Sequence, residues 1–307
     1  MLDSLPPILP GRPGRRALRC LLLLAVLAPG TGCGGGKEEE AAAAEGRSSL
    51  APGDLAPGSP EIQREIRDLI AAVTPLPANA SPAEKSAWFP RRRACLERLR
   101  AAGPAVGREA LRVYLDRPDA ESEARIGLLD VAAHGLPAES RPLLVELVTT
   151  FGAPLDLRAA AVRILGETSP AVAVDVLGAI LHEERPRTTY PPLDQILEAW
   201  LAAARTTGAD PVELLALIAT DLARDNATRT IALRALGERA APVGRQALEA
   251  VLVESSGNHY LRRIAAQSLQ ETLSPEEFCP LVRRVLENEA DESFQVFLQD
   301  MLSRFCQ

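Results

Sequence analysis

The chain has 307 residues, of which 41 are acidic and 34 basic, so its formal net charge is −7. Apolar residues make up 47% and aromatic residues only 4%. The apolar content excludes a wholly disordered chain, and the scarcity of aromatics favours closely packed helices over a β-sandwich. The negative charge argues against a nucleic-acid partner, because such binding depends on Lys and Arg neutralising phosphates.

Residues 1–32 have the pattern of an export signal. Four arginines between positions 12 and 19 precede the apolar run CLLLLAVLA. Nine residues are too few to span a bilayer, which takes about 20. Small residues then lead directly to Cys33, and this arrangement resembles the signal of bacterial lipoproteins, which are cleaved before the Cys. The resemblance implies lipid on Cys33 and a membrane-anchored protein of the cell envelope, facing the periplasm or exterior. A plain secretory signal, and hence a secreted protein, is one alternative, and an uncleaved anchor is the other.

The segment after Cys33 has the composition of a linker. Residues 34–60 are rich in Gly, Ala, Ser and Pro and show no apolar periodicity. A flexible coil of this length has a root-mean-square span of about 30 Å. We therefore expect a signal peptide at 1–32, a tether at 33–60 and a folded domain at 61–307.

The folded domain contains an internal repeat. Three segments begin with Arg, have a small residue three positions later and Leu seven positions later: RAAAVRILGE from Arg158, RTIALRALGE from Arg229 and RRIAAQSLQE from Arg262. The frame fits again at Arg92 and, with apolar residues of other sizes at the two later positions, at Arg125; most of these arginines are 33 residues apart. A gap of 71 residues between Arg158 and Arg229 accommodates one further, degenerate unit. Such a period predicts a solenoid of stacked helix pairs.

The pattern Arg-x-x-Ala-x-x-x-Leu-Gly, followed by a short loop and an apolar helix, resembles the HEAT repeat, particularly the short bacterial type seen in phycobilin lyases. The resemblance covers residues 85–290 in six units and implies an all-α solenoid. Amphipathic segments at 60–73 and 294–305 are predicted to cap its ends, which would otherwise expose apolar faces. The repeated Arg is predicted to hydrogen-bond to a helix end of the neighbouring unit; a row of ligand-binding arginines is the alternative.

The sequence shows no motif for catalysis or for a metal. The three histidines, His134, His182 and His259, do not form a two-histidine ligand spacing and are predicted to lie at the surface. Neither a nucleophile elbow nor a phosphate-binding loop is present. We therefore predict no catalytic residue, no metal and no cofactor, with an enzyme related to the lyases as an alternative.

Cysteines and an interrupted repeat supply the remaining candidates. Cys279 and Cys306 lie on the last two predicted helices and can form a disulfide in an exported protein, whereas Cys95 is predicted to be a buried thiol. Arg185, Arg187 and Tyr190 lie in a longer loop of the fourth unit. Their residue types are enriched at interface hot spots, so they are candidate partner-binding residues; a simple spacer loop is the alternative.

These observations together favour a non-catalytic, membrane-tethered scaffold that binds a protein or peptide along its solenoid. A lyase-like enzyme and a structural subunit of an envelope complex are the alternatives.

Overall fold

The computed structural model describes residues 55–77, 79–150, 152–183, 190–239, 241–254 and 258–306. All of them belong to the unit Ser48–Gln307; a second unit, Met1–Arg47, lies outside the described residues. The described residues form fourteen α-helices and no strand. The expected all-α solenoid of six HEAT-like helix pairs with helical caps is confirmed.

Each repeat consists of a first and a second helix, and one further helix lies at each end. The N-terminal cap is α1 (Pro60–Val73) and the C-terminal cap is α14 (Glu292–Phe305). The six pairs between them are α2 (Pro82–Arg100) and α3 (Pro104–Asp116), α4 (Ser122–Gly135) and α5 (Pro137–Thr149), α6 (Leu155–Thr168) and α7 (Pro170–His182), α8 (Leu193–Thr207) and α9 (Val212–Thr220), α10 (Asn226–Gly237) and α11 (Pro242–Val253), and α12 (His259–Thr272) and α13 (Pro275–Glu287).

Local sequence explains where the helices begin. Seven of the described helices have Pro in their first turn, where its missing N–H is not needed and its fixed φ suits the helix. At α2, the Ser81 hydroxyl accepts from the backbone N–H of Glu84, whose carboxylate accepts from the N–H of Ser81. This capping box satisfies two N–H groups that the helix leaves unpaired.

The first helices of successive units form a continuous layer. Contacts join α2 to α4, α4 to α6, α6 to α8, α8 to α10 and α10 to α12. The Gly of the Leu-Gly motif permits this close approach. A methyl group on Gly237 would lie 2.6 Å from the Cβ of Ser268 on α12, and one on Gly166 would lie 3.2 Å from the carbonyl oxygen of Ala199 on α8. The motif therefore ends in Gly because the next helix occupies the space of a side chain.

In the third, fifth and sixth units the repeated Arg joins the unit to its predecessor. The Nε of Arg158 donates to the carbonyl of Leu147 (3.1 Å), that of Arg229 to Ala219 (3.0 Å) and that of Arg262 to Leu252 (2.9 Å). These carbonyls lie at the ends of α5, α9 and α11, where a helix has no backbone partners left for its last carbonyls. The predicted structural role is confirmed for these three arginines.

The first two repeats depart from this pattern. Arg125 donates to the hydroxyl of Tyr114 (3.0 Å) and lies over its ring, instead of binding a helix-end carbonyl. Arg92 forms an ion pair with Glu123 of the following unit and lies over the ring of Trp88. Cys95 is a free thiol and is half-buried, which corrects the expectation of a buried one.

The fourth unit lacks the Arg, and another residue replaces it. Arg224, in the loop between α9 and α10, donates its Nη2 to the carbonyls of Leu181 (2.8 Å) and Glu183 at the end of α7. Its side chain is buried and also pairs with Asp221. Arg224 therefore supplies hydrogen bonds to the last carbonyls of α7, although it does not occupy the repeated Arg position. The sequence pattern did not indicate this role.

Both ends of the solenoid are covered as expected. Ile66 and Leu69 of α1 are buried, as are Phe294, Leu298 and Met301 of α14. Cys279 on α13 and Cys306 after α14 form a disulfide, with Cα atoms 5.8 Å apart. Among the described helices, none has both the length and the apolar character that crossing a bilayer requires.

Candidate functional site

A groove of about 640 Å³ lies on the layer of first helices, between α6 and α8. Small residues form most of its floor, and polar side chains border it. The small or apolar lining residues are Ala159, Ala160, Val162, Gly166, Ala199 and Ala202; the polar ones are Arg163, Glu167, Gln195, Glu198 and Thr206. The groove exists because small side chains face outwards on two adjacent helices.

The bulky residue of α8 points away from this groove. Trp200 is only 5% exposed, and its Nε1 donates to the carbonyl of Val174 on α7 (3.0 Å). Its indole packs close to Gly178, where an added methyl group would lie 3.1 Å from Nε1. Trp200 is therefore a core residue, and it does not line the groove.

A network of charged side chains borders the groove at α6. At its centre is Asp130 of α4, whose side chain is 2% exposed. Arg100 of α2 donates to both carboxylate oxygens (3.0 and 2.6 Å), and Arg163 of α6 donates to one of them (3.3 Å). His134 Nδ1 lies 3.0 Å from the carboxylate and 2.9 Å from the Asp130 carbonyl. The network thus joins the first helices of three successive units.

Glu167 of α6 connects the network to the groove. Its carboxylate pairs with Arg163 (2.9 Å) and lies 3.6 Å from His134 Nε2 and 3.8 Å from Arg100. Arg163 and Glu167 also line the groove. Their positions at the groove edge are therefore fixed by groups on α2 and α4.

The pKa values of Asp130 and His134 reflect this pairing. Burial alone would raise the pKa of Asp130, but hydrogen bonds from His134 and Arg100 and the charges of Arg163 and Arg100 outweigh it and lower the pKa to about 2. The hydrogen bond to Asp130 raises the pKa of His134, against the opposing effect of partial burial. Both groups are therefore stabilised in their charged forms.

Asp130, His134 and Glu167 also present ligand atoms within 4.8 Å of one another, a grouping that can hold a metal ion. However, the Asp130 carboxylate already receives donors from Arg100, Arg163 and His134. Two guanidinium groups beside it also oppose a further cation. The geometry is that of an ion-pair network more than that of a metal centre.

Sequence reasoning missed this network, because it placed His134 at the surface. The structure corrects that expectation: His134 is half-buried, although His182 is exposed as predicted. The repeat period held a usable signal. Arg163 lies 33 residues after Asp130, and Glu167 lies 33 residues after His134. Equivalent positions of adjacent units lie side by side in a solenoid, so opposite charges at that spacing indicate an ion pair.

The residues singled out from the sequence lie away from the groove or outside the described chain. Cys33, Arg185 and Arg187 lie outside the described residues. Tyr190 packs partly against the core, and its hydroxyl donates to Glu183 (2.9 Å). It does not line the groove. The partner-binding role predicted for this loop stays a prediction.

Comparisons with known proteins give one weak structural similarity. No family model matches the sequence, and no curated protein matches it. Among solved structures, the chain is similar to human deoxyhypusine hydroxylase in complex with glycerol, with 15% identity and a TM-score of 0.34. The match covers 80% of this chain and 96% of that one. At this TM-score the likeness carries no argument about this chain.

Proposed function

We propose that the protein is a non-catalytic, membrane-tethered scaffold that binds a protein or peptide in the groove between α6 and α8. The observation that carries the proposal is the groove itself, with its floor of small residues. A floor of Ala and Gly lets a partner's backbone or a bulky apolar side chain approach closely, in the way that amphipathic helices enter apolar grooves.

The charged border supports a polypeptide partner. Arg163 and Glu167 place opposite charges at one edge, and Glu198 lies on the facing helix. Mixed charges around an apolar floor match the anatomy of protein interfaces, which have an apolar centre and a polar rim. Because the network on Asp130 holds Arg163 and Glu167 in place, less side-chain entropy is lost when a partner binds.

The tether is the second part of the proposal. The signal-like residues 1–32 and the small residues before Cys33 favour export and lipid attachment. The disulfide between Cys279 and Cys306 fits the same destination, because disulfides persist in oxidising compartments. The scaffold would then face the periplasm or exterior, held at the membrane by Cys33.

The groove is tested by filling it. Ala202 is an exposed residue of α8 in the groove, and Ala202→Trp would occupy the partner's space. Ala179→Trp, at an exposed position of α7 outside the groove, is the matched control. Both changes should leave the thermal melt nearly unaltered, because surface substitutions usually cost less than about 0.5 kcal/mol.

The measurement is recovery of crosslinked partners from envelopes, quantified by mass spectrometry. Ala202→Trp should reduce recovery of the main partner at least about tenfold, which corresponds to about 1.4 kcal/mol of binding free energy. The control should match the wild type. If both variants recovered the partner equally and were equally stable, the partner would bind elsewhere on the solenoid.

A further inference from the structure

The N-terminal half of α2 is exceptionally exposed for a helix of this fold. Leu99, near its C-terminal end, is its only buried residue. From Pro82 to Arg91 every side chain is exposed except that of Trp88, which is half-buried. Phe89 is 66% exposed, the largest fraction among the exposed large apolar residues of the described chain. This half of the helix therefore presents a face that no other described element covers.

The exposed face combines aromatic and basic side chains. The rings of Trp88 and Phe89 pack edge to face with centroids 4.9 Å apart, and the guanidinium of Arg92 lies 5.2 Å from the Trp88 ring centre. Trp88 Nε1 has no hydrogen-bond partner within the described structure. A shallow cavity of about 380 Å³ adjoins Trp88, lined also by Leu76, Ala83, Glu84, Ala87 and Arg91.

The charge of α2 is opposite to that of the whole chain. The helix carries six basic and two acidic residues, a net charge of +4 in a chain of net −7. Lys85, Phe89 and Arg93 recur at four-residue intervals and so share one side of the helix. Lys85 and Arg93 form no ion pair within the described residues, whereas Glu84 is engaged in the helix cap. The surface therefore fits an anionic partner with an apolar layer beneath its charges.

We propose that this surface of α2, formed by Lys85, Trp88, Phe89 and Arg93, lies on the anionic headgroup layer of a phospholipid bilayer. Indole and phenyl rings occupy the level of the headgroups, and Lys and Arg bind lipid phosphates. The Nε1 of Trp88 is itself buried, so only the exposed part of its ring, beside Phe89, would lie at the level of the headgroups.

The position of α2 in the chain supports this partner over an acidic protein. The inference rests on the proposed tether, because α1 begins at Pro60, only 27 residues after Cys33, and α2 follows α1 directly. An anchor at Cys33 would keep α2 at a high effective concentration near the membrane. The opposite end of the solenoid would then be free to present the remaining units to a partner.

The native tryptophans provide the test. Trp88 is half-buried and Trp200 is a core residue. The full chain, as its host processes it, is mixed with vesicles of equal parts phosphatidylglycerol and phosphatidylcholine whose acyl chains carry bromine, which quenches tryptophan fluorescence on contact. We expect quenching with these vesicles, little quenching with phosphatidylcholine alone, and loss of the quenched component in Trp88→Phe.

Variants of the surface and of distant positions complete the design. Because a lipid on Cys33 would hold the chain on any bilayer, contact of the surface is read from Trp88 quenching. Lys85→Gln/Arg93→Gln should lower the equilibrium constant for that contact on the order of thirtyfold, as expected for two basic residues near an anionic surface. Phe89→Ser should also weaken binding. The matched control is Arg234→Gln/Arg283→Gln, which removes two exposed charges from α10 and α13 and should bind like the wild type.

The anchor and the surface are judged separately. Mass spectrometry of the same sample reads lipid at Cys33. If Trp88 is quenched but Cys33 carries no lipid, the proposed surface is supported and the proposed tether is overturned. If Cys33 carries lipid but Trp88 is not quenched, the tether is supported and the surface is overturned. Equal quenching by phosphatidylcholine alone, or equal loss of binding in the control, would overturn the proposed surface. So would a Trp88 emission shift that grows with protein concentration in the absence of lipid, which would indicate self-association.

Discussion

At the scale of single residues, the dominant feature is a carboxylate held by three units. Asp130 is bound by Arg100, His134 and Arg163, so that removing any one donor leaves a buried charge less well paired. Breaking such a pair costs more than the pair contributes, because the remaining charge has already lost its water. The network therefore fixes the register between α2, α4 and α6.

The first prediction concerns the pH dependence of this network. The pKa of His134 is raised in the folded protein, so its contribution to stability is fully present below its ordinary pKa of 6.5 and is lost as pH rises through the raised value. The pKa of Asp130 is lowered to about 2, so its contribution is present above its ordinary value of 3.8 and is lost as pH falls towards 2. The network contributes most between these limits.

We therefore expect the melting temperature to fall as pH rises from 6 towards 9, and His134→Asn to reduce that fall. The comparison is a series of thermal melts across this range. His182→Asn is the matched control, because His182 is exposed at the end of α7. A wild-type slope preserved in His134→Asn would show that another group is responsible. The other charged groups around His134 are Glu167, whose carboxylate lies 3.6 Å from Nε2, and Arg100; Arg163 pairs with Asp130 and Glu167 beside them.

At the scale of helices, the arginines that bind helix-end carbonyls explain how neighbouring units stay joined. Arg158, Arg229 and Arg262 occupy one repeat position, so their role could be predicted from spacing. Arg224 performs the same task for α7 from a loop, five residues before Arg229. No sequence period indicates it, because only the folded chain brings that loop to the end of α7.

The second prediction is that Arg224→Gln destabilises the protein by about 1–3 kcal/mol, because it leaves buried carbonyls at the end of α7 without a charged donor. Arg229→Gln should cost a similar amount, since it removes the corresponding bond to Ala219. Urea unfolding measures both. Arg205→Gln, at an exposed residue of α8, should change the midpoint little. If Arg224→Gln were as mild as Arg205→Gln, the carbonyls would be satisfied by water.

The close approach of successive first helices could be predicted only in part from the sequence. The Leu-Gly pair of the motif predicted a helix end, but Gly166 and Gly237 also permit contact with the next first helix. The contact between Gly237 and Ser268 could not be anticipated, because the residues of the sixth unit that face Gly237 differ from those at the same positions of the other units. The groove was likewise not foreseen: its alanines on α6 and α8 are half-buried or exposed, and no sequence pattern separates them from the buried alanines of the same helices.

At the scale of the whole molecule, the solenoid depends on its ends being covered. Phe294 of α14 packs 4.1 Å from the guanidinium of Arg262, which also pairs with the buried carboxylate of Glu289. The disulfide joins α13 to the residue after α14. The last helix thus covers the apolar face of the sixth unit and shields a buried ion pair.

The third prediction is that removing residues 291–307 lowers the melting temperature and promotes aggregation, because stability in a solenoid depends on interfaces between neighbours. Light scattering and thermal melts check both effects. Cys306→Ser separates the disulfide from the helix: closing a loop of 27 residues stabilises a fold by about 3.5 kcal/mol in the chain-entropy model. If the truncated chain and the full-length Cys306→Ser variant had the same melting temperature, the whole effect of the truncation would come from losing the disulfide.

Arg224 also has a consequence for how the molecule yields to force. Most units contact only their immediate neighbours. When the chain is pulled from its C-terminus, such units would unfold one at a time. Arg224 connects the loop after α9 to α7, two helices further back, and so couples the third unit to the junction between the fourth and fifth. The C-terminal units should therefore unfold one at a time. The third and fourth units should then unfold together, in one larger extension step.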